Sequence, residues 1–140
     1  MALTVTKADV WVTTIEDRPG GVADKLEALA KAGASFEMVL ARRTDEPGQG
    51  LLFVTPVKGA KAMRAARQAG FAKPENIYSV RIEGTDKPGL TAAIARALGD
   101  AGISFRGISA IAVGRKFVSH LACDSAEDAT KAVATLRKLR

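Results

Sequence analysis

The side chains that most often carry enzyme or metal chemistry are scarce in this chain. His120 is its one histidine and Cys123 its one cysteine, too few for a structural metal site, which draws several such ligands together. His120 lies in a strand-like run, Phe117-Val118-Ser119-His120-Leu121, and reads as a structural or partly exposed histidine. Cys123 reads as a small core residue rather than a nucleophile. No nucleophile paired with a base is visible, nor a phosphate loop of the G-x-x-x-x-G-K form, so the chain reads as a non-enzyme. The chemistry that remains belongs to two turns, Asp17-Arg18-Pro19-Gly20-Gly21 and Asp86-Lys87-Pro88-Gly89. If each opens a helix, free N–H groups and the positive end of the helix dipole can hold a carboxylate. Gly20, Gly21 and Gly89 would let a ligand approach the backbone, and Asp17 or Asp86 could accept hydrogen bonds from an ammonium group. Helix initiation alone accounts for the same residues, with Pro in the first turn and Asp as a cap. Both readings stand on the sequence.

The two turns belong to an internal repeat. Asp17 and Asp86 are 69 residues apart, and the same offset relates Ala32-Gly33 to Ala101-Gly102 and Ser35-Phe36 to Ser104-Phe105. Phe53-Val54-Thr55 then resembles Phe117-Val118-Ser119 at an offset of 64, so the five missing residues fall in a loop, where deletion costs little. The repeat divides the chain into residues 1–75 and 76–140.

Each copy must supply elements that position its turn. Residues 9–15 read as a strand rich in β-branched and aromatic side chains. Val22, Leu26, Leu29 and Ala30 then stripe an amphipathic helix, closed near Gly33. Residues 35–42 and 51–57 read as strands separated by turn chemistry, and residues 58–69 as a helix with Ala62, Met63 and Ala66 on its apolar side. The second copy repeats the order. Residues 77–83 form a strand, and Leu90, Ile94, Ala97, Leu98 and Ala101 stripe a helix. Residues 104–113 and 115–123 make a hairpin around Gly114. A last helix is capped by Asp124 or Ser125, with Ser125 and Asp128 resembling a capping box. Its stripe is Ala129, Ala132, Val133, Leu136 and Leu139. Strand, helix, strand, strand, helix, twice, predicts an α+β architecture of antiparallel sheets with helices on one face. A complete split βαβ unit needs a fourth strand that neither copy has obvious room for. Either that strand is missing or the stretch near Ile77 serves both copies.

Hydrophobic residues make up 47% and charged residues 26% of the 140, the balance of a globular protein. Halves this small bury little surface alone and are expected to pack on each other. The net charge of +6 is divided between the halves without a basic tail. Lys58, Lys61, Arg64 and Arg67 recur every three residues and with Arg42-Arg43 could contact phosphates, though a solvated helix face is the ordinary explanation. With 5% aromatics for base stacking, nucleic acid is not the expected partner. The N-terminus lacks the pattern of a secretory signal and no apolar run is long enough to span a bilayer, so a cytoplasmic location is expected.

Two D-x-P-G turns, each following a strand, opening an apolar-striped helix and preceding an A-G-x-S-F segment, resemble tandem ACT domains over nearly the whole chain. The resemblance implies ferredoxin-like βαββα(β) repeats packed as a pseudo-dimer with side-by-side sheets, and an amino acid or related metabolite bound where domains meet. It implies no cofactor. Carried over by position, the effector would lie against Asp17, Arg18, Pro19, Gly20, Gly21 and Val22, and in the second copy against Asp86, Lys87, Pro88, Gly89, Leu90 and Thr91. Ser35-Phe36 and Ser104-Phe105 would form the opposing walls. Gly20→Val is then expected to block the ligand with little loss of fold. Unpaired strand edges left by the missing fourth strands would favour a homodimer, and an enzyme or transcription factor would be the regulated partner. A module that docks on such a partner without binding a ligand is the alternative.

Overall fold

A computed structural model describes residues 3–139. Two compact units emerge, and they do not coincide with a simple halving of the chain. Asp9–Pro74 form one; residues 75–139 form the other together with residues 3–8.

The first unit contains β2 (Trp11–Glu16), α1 (Gly21–Ala30), β3 (Met38–Arg43), β4 (Gln49–Thr55) and α2 (Ala60–Gln68), numbered after a preceding strand β1 (Thr4–Ala8). Its antiparallel sheet has the order β2-β4-β3. Trp11 faces Val54, Thr13 faces Leu52 and Ile15 faces Gly50. Directly opposed residues share a face, so these odd-numbered positions of the continuous apolar run turn toward the helices. The core there is Trp11, Leu29, Leu52, Val54, Val57, Ala62, Ala66 and Phe71. Ala30, expected on the buried stripe of α1, is exposed; Ala28 packs against the core instead. β3 starts at Met38 rather than Ser35, and Phe36 ahead of it packs on this core. Past α2 a single bridge, Val12 with Ala72, stands where a fourth strand would run.

The second unit contains β5 (Tyr78–Thr85), α3 (Leu90–Asp100), β6 (Phe105–Val113), β7 (Lys116–Cys123) and α4 (Ala126–Arg137). Its sheet has the order β1-β5-β7-β6. The missing fourth strand is therefore supplied by the N-terminus. Val5 pairs with Ile82 and Lys7 with Val80, while Leu3 and Val5 enter a core with Val80, Ile82, Ile94, Leu98, Leu121 and Leu136. The assignment of residues 1–75 to the first repeat is corrected to that extent. Arg137 donates to the Val5 carbonyl at 3.1 Å and Lys7 to the Thr130 hydroxyl at 2.7 Å, tying the strand to α4. That helix is capped by Ser125, not Asp124: its hydroxyl accepts from the Asp128 amide at 3.0 Å, which satisfies one of the unpaired N–H groups of the first turn. His120 and Cys123 are buried on β7.

Candidate effector site

Each D-x-P-G segment folds as the same turn. The Gly21 amide donates to the Arg18 carbonyl at 3.1 Å, and the Leu90 amide to the Lys87 carbonyl at 3.2 Å. Gly20 has φ 87° and ψ −8°, Gly89 φ 82° and ψ 1°. These are type II turns, with Pro at the position that wants φ near −60° and Gly at the position that requires φ > 0. The next residue starts the helix, and both glycines are N-caps with no side-chain cap hydrogen bond. The Asp residues therefore do not cap. Asp17 instead accepts from Arg43 at 2.8 Å, an exposed pair that an incoming ammonium would have to displace. Among the described residues nothing accepts from the amides of Val22 and Ala23, or from those of Thr91 and Ala92, so both helices begin with free donors.

The copies diverge one residue beyond the turn. Position 90 holds a leucine, 5% exposed and part of the core. Position 21 is glycine, and a Cβ there would overlap the carbonyl oxygen of Glu16. α1 thus starts against the end of β2. Beside this contact lies a pocket of about 430 Å³ lined by Thr14, Ile15, Glu16, Arg18, Gly21, Asp24, Lys25, Ala28 and Ala69. Its charged groups are two acids and two bases. Arg18 donates to Glu16 and to Asp24, each at 2.7 Å. These two hydrogen bonds, that to Asp24 the stronger, hold the guanidinium pKa above its usual value. Lys25 donates to the Ala69 carbonyl at the end of α2, a favourable place for a cation.

Of the expected contact residues the pocket gathers Arg18 and Gly21 alone. Pro19 and Gly20 form the exposed outer bend, and Val22 and Phe36 pack on the core. Ser35 and Ser104 are exposed, and Phe105 packs on the core of the second unit. Around the second turn Asp86, Lys87, Pro88, Gly89 and Thr91 are exposed, and Leu90 is core rather than wall. A branched residue at Gly20 would be strained at φ 87°, so Gly20→Val is a folding defect and not a clean block. Glu16, Asp24 and Lys25 were missed. A signal existed: 21, 24, 25 and 28 share one helix face, beside the apolar stripe of 22, 26 and 29. Cys123 has its thiol pKa raised by burial, then by Asp128 and Asp124, the opposite of what a nucleophile needs.

The family model of the ACT domain matches residues 78–140. That stretch, from β5 through α4 of the second unit, resembles an ACT domain. A crystal structure of a Bacteroides thetaiotaomicron protein is similar over 93% of this chain and 88% of its own, with TM-score 0.76 and 17% identity. The ligand-free regulatory subunit of aspartate kinase from Thermus thermophilus is similar over 99% of this chain and 97% of its own, with TM-score 0.65 and 20% identity. Clostridium acetobutylicum aspartate kinase, described as an allosteric enzyme, matches 98% of this chain with 33% of its own, at TM-score 0.61 and 16% identity. No curated protein matches significantly in sequence. These structural likenesses show the same fold over both units. Among the described residues no helix is long and apolar enough to cross a membrane.

Proposed function

We propose that this chain is a regulatory module whose first unit binds an amino acid or a closely related metabolite in the pocket at the start of α1. The observation that carries the reading is the balance of two carboxylates and two cations around a pocket beside free helix-terminal amides. A zwitterion is complementary to that arrangement. Its carboxylate would take the amides of Val22 and Ala23 with Arg18 or Lys25, and its ammonium would take Glu16 or Asp24. The volume lies at the small end of ligand pockets. The effector acts by favouring one arrangement of the module, and so of the enzyme or transcription factor that it regulates.

A thermal-shift screen of the standard amino acids tests this. A ligand at a hundred times its Kd adds about 2.7 kcal/mol of stability, or about 5–10 °C for a chain of this size. Arg18→Ala should abolish the shift while leaving the melting temperature of the free protein unchanged, because Arg18 and both its partners are exposed. A full shift in that variant would move the ligand away from the pocket.

We further propose a homodimer formed through β6. With β1 covering β5, the edges of the second unit are the five-residue β1 and the nine-residue β6. Ile111 and Val113 on β6 are 62% and 73% exposed. A long apolar edge is a template for another strand, and a second copy offers the same strand antiparallel. Ile111→Lys should convert the dimer to monomer in light scattering; an unchanged mass for a dimeric parent would place the interface elsewhere.

A further inference from the structure

We propose that the exposed face of α2 is a docking surface for an acidic protein segment. Residues 47–74 contain no Asp or Glu and carry Lys58, Lys61, Arg64, Arg67 and Lys73, so this one stretch holds five charges of a net +6. Two of them have local work. Arg67 and Lys73 lie 5.4 and 5.6 Å from the ring centroid of Trp11, and Lys73 pairs with Asp9 at 3.3 Å. Lys58, Lys61 and Arg64 are exposed, and among the described residues no acid pairs with them. Lys58 and Lys61 flank the N-terminus of the helix, where the dipole disfavours cations. α1 and α4 place Asp24, Glu127 and Asp128 in their first turns; α2, like α3, places no acid there, and α2 alone has a lysine there, Lys61. This helix therefore holds an uncompensated positive field at some cost to itself, and such a field steers anionic partners.

The geometry points to protein rather than nucleic acid. Trp11 is 2% exposed and flanked by two cations, so no stacking ring accompanies the patch. A nine-residue helix spans about 14 Å. The three exposed cations on and just before it are fewer than the roughly six to ten phosphate contacts of strong duplex binding. Carboxylates spaced one helical turn apart match the patch, and such exposed pairs contribute mainly association rate and partner choice. The three cations lie outside the pocket lining, which reaches α2 only at its C-cap, Ala69.

The test titrates the full chain, at low salt, with a fluorescent helical peptide bearing glutamates on one face, and separately with a short DNA duplex. The variant Lys58→Glu, Lys61→Glu, Arg64→Glu is compared with Arg115→Glu, Lys116→Glu, Lys131→Glu, which has the same net charge. The first is expected to lose at least about tenfold in peptide affinity while melting no lower than the parent, since acids at a helix start are favourable. The second is expected to bind like the parent. Equal losses in the two variants, no peptide binding by the parent, or tighter binding of the duplex than of the peptide would each overturn the proposal.

Discussion

Removing residues 1–8 should unfold the second unit and leave the first folded. Those residues supply β1, which pairs along five positions with β5. Leu3 and Val5 are 8% and 2% exposed in the core, and burial of such side chains contributes about 1.5–3 kcal/mol each. Their loss, about 4 kcal/mol, comes with a bare edge on β5 and an unpaired Arg137. A domain has a total stability of about 5–15 kcal/mol, so little would remain. Hydrogen exchange reads the outcome by element. Amides of Tyr78–Thr85 should lose protection while those of β2 and β4 keep it. Intact protection in β5 would show that the strand is dispensable.

Gly21→Leu, which gives the first copy the residue of the second, should destabilise the first unit by about 3 kcal/mol and abolish effector binding. The new Cβ meets a backbone carbonyl, that of Glu16, which cannot rotate away as a side chain would. Relief requires the start of α1 to move off β2, and that movement opens the wall on which Arg18, Asp24 and Lys25 converge. Trp11, the single tryptophan, lies in this core, so its fluorescence in denaturant reports the loss. A wild-type midpoint would mean that α1 adjusts freely and that the glycine is incidental.

The repeat, both turns and all four helices were legible in the sequence because their signals are local. Pro-Gly dictates the type II turn, and apolar residues at helical spacing mark α3 and α4. The strand β1 was not legible. Leu3 and Val5 alternate with threonines as a strand would, but Val5 pairs with Ile82 and Thr4 with Glu83, nearly eighty positions away, and no periodicity reveals a pairing at that distance. The turn residues were legible, but the contacts that hold them were not. Asp17 looked like a cap or a ligand contact, and the structure ties it to Arg43. The charged wall formed by Glu16, Asp24 and Lys25 was passed over because charged residues on a helix are ordinarily solvated. Only the close approach at Gly21 turns them toward a pocket.

An amino acid bound at the start of α1 would perturb the amides that it touches. The most direct measurement is an amide NMR titration of the labelled chain with the amino acid that stabilises it most. Saturable shifts are expected, concentrated in the amides of Gly20, Gly21, Val22 and Ala23 and in the Arg18 side chain. Shifts centred on Gly89 to Ala92 instead, or no saturable shifts with any standard amino acid, would contradict binding at the start of α1.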